Sequence, residues 1–348
     1  MNQNFTYIRI SRAIVASLLI VSAACRSGSD APPLFELLPA EPTGIDFQNT
    51  LSETPQMNIF SYLYFYNGGG VAAGDLNGDD LPDLYFTSNL EENKLYINQG
   101  GFVFQDITET TGMEGKGGWT AGVTMADVNG DGKLDIYVSQ LGDYQNIRGK
   151  NQLYINQGND EQGNPTFENQ AKAYGLDLVG FSTQAAFFDY DLDGDLDMYM
   201  LNHSTHANGT FGRATLRQEK HPLAGDKLLR NDGGTFTDVT DGSGIYSSAL
   251  GYGLGITVGD VNWDGYPDVY IGNDFHENDY LYINQGDGTF SEQLQEYIRH
   301  TSRFSMGNDI GDINNDGLPD ILSLDMLPSD PVMLKMSAGE DAYDVYNY

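Results

Sequence analysis

Five stretches of this chain place side-chain oxygens at positions 1, 3, 5 and 9 of a nine-residue loop. The densest is 189–197, with Asp189, Asp191, Asp193 and Asp197 at those positions, Asp195 at position 7 and Gly194 at position 6. Four carboxylates this close repel one another unless a hard cation stands between them. Ca2+ suits the task because it takes roughly 6–8 oxygen ligands in a flexible shell. The carbonyl of residue 7 and water would complete the set.

The other four loops put Asn at position 3. They are Asp75, Asn77, Asp79 and Asp83 with Leu81 at position 7; Asp127, Asn129, Asp131 and Asp135 with Lys133; Asp260, Asn262, Asp264 and Asp268 with Tyr266; and Asp312, Asn314, Asp316 and Asp320 with Leu318. The expected cofactor is therefore Ca2+, up to five ions. Position 6 is glycine in every loop but the first, where Asp80 stands; this place calls for the left-handed backbone that glycine adopts freely. The alternative is five Asx-rich turns that bind nothing. An EF-hand is excluded: position 12 is Phe86, Val138, Met200, Ile271 or Ser323, where that motif requires a bidentate Glu.

The loops need elements to hold them, and the sequence around each one repeats. A strand-like run follows directly (84–88, 136–139, 198–201, 269–272, 321–324). In the first four units comes next a Leu-Tyr-Ile-Asn element or its variant, ending at Asn98, Asn156, Asn231 or Asn284. A third run opens with Phe104, Phe167, Phe236 or Phe290, and a Gly-rich strand precedes each loop. Short runs of Tyr, Ile, Val and Phe between turn residues are strands. The pattern predicts an all-β fold: a β-propeller of four-stranded blades, with a calcium loop between strands 1 and 2 of each. The Gly-rich first strands fit the crowded position near the axis. The segment 35–38 with Thr43, Gly44 and Ile45 repeats the pattern at 236–245, so an outermost strand is expected at the start. The fifth unit lacks its Leu-Tyr-Ile-Asn element, which predicts further blades beyond this chain.

Composition agrees. The 348 residues carry 50 Asp+Glu against 17 Lys+Arg, for a formal charge of −33, which argues against nucleic acid and anionic lipid as partners. Arg9 and Arg12 followed by an apolar run at 13–24 read as an export signal, and that run is too short to span a bilayer. The single cysteine, Cys25, follows Ala23 and Ala24 as in a bacterial lipoprotein signal, although Ser22 stands where Leu or Val is usual; an ordinary cleavage site is the alternative. The expected organisation is a signal at 1–25, a tether at 26–32 and the propeller region at 33–348. The expected location is the outer membrane, cell surface or periplasm, with membrane contact only through the lipid.

Gly69-Gly70-Val71-Ala72-Ala73-Gly74-Asp75, the D-x-N-x-D-G-x-x-D loops, the Leu-Tyr-Ile-Asn elements and Gly288-Thr289-Phe290 resemble the FG-GAP/VCBS repeats also found in integrin α heads. The resemblance covers about 34–327. It implies a calcium-binding β-propeller with a role in adhesion or ligand binding.

If strands alternate, every acidic loop lies on one face. The connections carrying His203, His206, His221, His276 and His300 lie on the other. That face also holds the long insertion 202–226 with Arg213, Arg217 and Lys220, and it is the expected site for a glycan or protein ligand. A sharper version makes His203, His206 and either His221 or His276 a transition-metal or catalytic site; the alternative is ordinary loop histidines. No nucleophile elbow, phosphate loop or zinc-protease motif is present. Binding or adhesion with structural calcium is the reading, and an enzyme such as a polysaccharide hydrolase or lyase on the same face is the competing one.

Overall fold

The computed structural model describes residues 35–115, 117–205, 214–275, 277–326 and 328–337. The export signal, Cys25 and the tether lie outside the described residues, as do His206, Arg213 and His276. The chain divides into two units, Met1–Pro39 and Ala40–Tyr348. In the first, residues 35–39 contain no strand. The outermost strand expected there is not formed: Phe35 and Leu37 are 86% and 95% exposed, so their alternation with polar residues has no buried face behind it.

The second unit is built from five antiparallel sheets. The first holds β1 (Val71–Gly74), β2 (Asp83–Phe86), β3 (Lys94–Asn98) and β4 (Phe104–Asp106). The second holds β5 (Trp119–Ala126), β6 (Asp135–Leu141), β7 (Gln152–Asn159) and β8 (Pro165–Asn169). The third holds β9 (Ser182–Phe188), β10 (Asp197–Asn202), β11 (Lys227–Asn231) and β12 (Phe236–Asp238). The fourth holds β13 (Gly253–Gly259), β14 (Asp268–Asn273), β15 (Tyr280–Asn284) and β16 (Phe290–Glu292). The fifth has two described strands, β17 (Ser305–Gly311) and β18 (Asp320–Asp325).

Within each sheet, strands pair in chain order. Between sheets, the first strands meet in series: β1 with β5, β5 with β9, β9 with β13 and β13 with β17. This is a β-propeller-like arrangement, with the first strands innermost. Close approach explains their glycines. A Cβ on Gly122 of β5 would stand 2.2 Å from the Thr183 carbonyl oxygen of β9.

The core lies between neighbouring sheets. Tyr85, Leu95 and Ile97 of the first sheet pack against Val123, Ile136 and Val138 of the second. Tyr137 and Leu153 pack against Met198 and Met200, and Tyr199 and Leu228 against Val269 and Ile271. Sheets covered on both faces bury their second strands completely, as β6, β10 and β14 show. β18 is covered less, and its Leu322 and Leu324 are exposed.

Candidate functional site

All five acidic loops join the first strand of a sheet to the second, and they share a common core of internal bonds, although only the four with Asn at position 3 also bond that side chain to the N–H of residue 5. In 189–197 the backbone N–H groups of Asp193 and Gly194 each donate to Asp189 at 3.0 Å. The equivalent pairs close the loops headed by Asp75, Asp127, Asp260 and Asp312. The position-5 aspartate accepts the N–H of residue 7: Leu81, Lys133, Asp195, Tyr266 or Leu318. So the backbone presets the first and fifth carboxylates.

Position 6 is left-handed throughout, including Asp80 (φ 66). Position 4 is left-handed as well, and the sequence reading missed this. Gly78 and Gly130 stand there in two loops, but Leu192, Trp263 and Asn315 hold φ of 60, 64 and 59 in the others. The glycines at position 4 of the first two loops were the available signal.

Position 9 does more than close the loop. Asp83, Asp135, Asp197 and Asp268 are fully buried. One oxygen of each accepts the N–H of residue 2, and the other accepts the N–H of the asparagine that ends the third strand. Burial raises Asp83 and Asp135 to about 6 and Asp197 to about 7, against the opposing pull of those N–H donors. The asparagines explain the Leu-Tyr-Ile-Asn element. Asn156 also donates its side-chain amide to the Leu76 carbonyl, in the loop of the preceding sheet, at 2.9 Å.

The residues fit a hard cation best at 189–197. There Asp189, Asp191 and Asp197 bring carboxylate oxygens within 4.8 Å of one another. Asp191 Oδ1 and Asp195 Oδ1 are buried without a hydrogen-bond partner. Desolvation, then the neighbouring Asp193, pushes both carboxyls up. Such oxygens are what a divalent ion takes. In the second loop Lys133 Nζ already pairs with Asp131 at 2.8 Å.

The far end of each four-stranded sheet is pinned by a second set. Asn93, Asn151, Asp226 and Asp279 each precede a third strand and accept a backbone N–H from the end of the second. Tyr199 and Tyr270 donate to Asp226 and Asp279 at 2.9 and 2.6 Å. Asp226 is raised to about 7 by burial.

This face is covered by a segment to which the sequence reading assigned no role. Tyr62, Tyr64 and Phe65 are buried against Trp119, Leu141, Phe181 and Tyr252, which come from the second, third and fourth sheets. Three aromatic side chains thus tie three sheets together at one end. The aromatic density of 60–66 was the available signal.

His203 belongs to this cluster and lies inside the fold, only 1% exposed, not on a ligand-facing surface. Its Nδ1 donates to the Phe181 carbonyl at 2.7 Å, so its Nε2 accepts from the Tyr62 hydroxyl at 3.0 Å. Burial lowers its pKa to about 4. His221 is half-buried, its Nδ1 accepting the N–H groups of Leu223 and Ala224. His300 is exposed. His203 and His221 both pack on the Phe181 ring, with centroids 6.0 and 6.4 Å from it. Arg217 is held by Glu277 at 2.5 and 3.2 Å, and Lys220 pairs with Asp241.

The fold and its loops define an all-β, propeller-like repeat protein. The chain carries FG-GAP-like repeats, matched over 75–138 and 264–323. It is 30% identical over 197 residues to cartilage acidic protein 1 of Mus musculus, the match covering 53% of this chain and 29% of that protein. Against cartilage acidic protein 1 of Homo sapiens the figures are 29% over 200 residues, 54% and 29%. The chain therefore spans less than a third of the length of these relatives. A solved Agrocybe aegerita lectin, described as recognising non-reducing terminal N-acetylglucosamine, aligns over 74% of this chain and 60% of its own at 18% identity, with a TM-score of 0.38.

Proposed function

We propose that this chain is an exported binding or adhesion module in which Ca2+ at the five acidic loops is structural and the opposite face meets a protein or glycan. One observation carries the reading: the same prearranged oxygen set recurs at the same point of all five sheets, so none is singled out for chemistry. The first, third and fifth positions, with the carbonyl of the seventh and the carboxylate of the ninth, would hold each ion. When bound, calcium supplies the positive charge these carboxylates lack. The FG-GAP-like repeats support the binding role. Export and lipidation at Cys25 rest on the sequence of 1–25.

The test is a calcium titration of the metal-stripped chain by calorimetry with melting curves, followed by a glycan and protein array with and without EDTA. Several ions bound, a raised melting temperature and calcium-dependent capture without product release are expected. Failure of calcium to bind or to raise the melting temperature would sink the structural role. Product release would favour the enzyme reading.

A further inference from the structure

Of three polar depressions on the described surface of this strongly acidic protein, one has a net positive lining. It has a volume of about 370 Å3 and is formed at the second sheet, on the face away from the acidic loops. Arg148, Lys150 and Lys172 line it against a single carboxylate, Asp177. The other two depressions contain one arginine each and several carboxylates.

The cations are not all neutralised. Lys150 pairs with Asp177 at 2.9 Å. Arg148 uses Nη1 on the Gln145 and Ile147 carbonyls and leans on exposed Asp143 at 3.5 Å. Lys172 is exposed and has no ion pair among the described residues.

Two of the lining glycines sit too close to their neighbours to carry a side chain. A Cβ on Gly118 would stand 2.6 Å from the Gln140 side-chain oxygen, and one on Gly149 would stand 2.3 Å from the Leu141 carbonyl. The rest of the lining is amide: Gln140, Asn151, Gln152 and Asn169. No aromatic or large aliphatic side chain lines it, so it lacks the apolar anchors on which peptide recognition depends. Small-molecule sites are usually mostly apolar. One built from amides and cations suits a ligand dense in hydroxyls that carries a carboxylate.

We propose that this pocket binds an acidic, uronate-type saccharide, with Arg148 and Lys172 taking the carboxylate and the amides taking ring hydroxyls. The proposal rests on the binding role and names its ligand class and place. It moves the expected glycan site from the 202–226 insertion, where Arg217 and Lys220 already have acidic partners, to the neighbouring sheet.

Calorimetry of the full calcium-loaded chain with a galacturonic acid trisaccharide, its methyl ester and triglutamate tests it. The free acid should bind at least 10-fold more tightly than the ester or the peptide. The R148Q/K172Q double variant should lose that preference while keeping its melting temperature and calcium response. No binding of the acid, equal binding of acid and ester, tighter binding of triglutamate, or unchanged affinity in a folded double variant would each overturn the pocket. Calcium-dependent capture of some other ligand would leave the broader binding role standing while the pocket fell.

Discussion

At the scale of single residues, the loops store a cost. L-residues in the left-handed region lose about 1–2 kcal/mol, and Leu192 and Trp263 hold it at φ 60 and 64. Both side chains are more than half exposed, so little packing offsets it. Leu192→Gly and Trp263→Gly should leave stability unchanged or raise it by up to about 1 kcal/mol, glycine's looser unfolded chain giving back part of the gain. Denaturant melts of both against Leu192→Ala check this, since alanine keeps the strain. A second prediction concerns His203. Its folded pKa is about 4, below its ordinary value, because burial disfavours the charged ring. The unfolded chain therefore binds the extra proton first as pH falls. This contribution to stability is complete above about pH 6.5 and is lost progressively down to about pH 4. His203→Gln should flatten that part of the pH–stability curve by up to about one proton, about 1.4 kcal/mol per pH unit, while lowering stability at pH 7. A slope unchanged in the variant would show that other groups carry it. Asp226 and Asp197, raised to about 7, and Asp83 and Asp135, raised to about 6, work in the opposite sense across that same range, so the comparison of slopes is the measurement that isolates the histidine.

At the scale of elements, each of the four-stranded sheets is a ladder clamped at both ends. The ninth loop aspartate holds one end of the second strand, and Asn93, Asn151, Asp226 or Asp279 holds the other. Removing a clamp leaves buried groups without partners, at about 1–3 kcal/mol each. Asn156→Ala loses its amide bonds to Leu76 and Leu134 and its acceptance of the Gly158 N–H. It should lower stability by about 2–4 kcal/mol, and more than Asn98→Ala, whose amide reaches only Pro82 in its own sheet. Paired urea melts decide it. Gly122→Ala should cost about 1–3 kcal/mol by overpacking β5 on β9. The clamps also show what the sequence could convey. Spacing along one strand and loop is local, so the acidic loops, the strand order and the crowded glycines were all legible. The partners of a terminal asparagine or of Tyr62 lie a sheet or more away, and no local period encodes them. That is why His203 read as a surface residue and 60–66 read as nothing. The segment 35–38 copied the apolar spacing of an outer strand, but spacing alone does not supply a neighbour. The following turn did transfer: the helix Ala40–Thr43 ends at left-handed Gly44, whose Cβ would stand 2.6 Å from the Phe104 carbonyl.

At the scale of the whole molecule, charge is the dominant fact. A formal charge of −33 repels itself at long range across the fold and at short range within each loop. The two components respond differently to ions. Salt at about 0.15 M screens beyond roughly 8 Å, which removes most of the repulsion between loops. It cannot separate oxygens that lie within 4.8 Å of one another, as those of Asp189, Asp191 and Asp197 do. A divalent cation can, because it sits between them. Sodium chloride added to the metal-free chain should therefore raise the melting temperature modestly and then level off. Millimolar calcium at the same ionic strength should raise it further, by about 2.7 kcal/mol of stability for each site at 100 times its dissociation constant. Magnesium should do less, since it demands a tighter octahedral shell and sheds water reluctantly. The loops differ too: Asp191→Ala should lower the calcium response, whereas Lys133→Gln, which frees Asp131, should raise it. If sodium chloride matched calcium at equal ionic strength, the loops would be turns stabilised by their own hydrogen bonds, and the metal would have no part in holding the sheets.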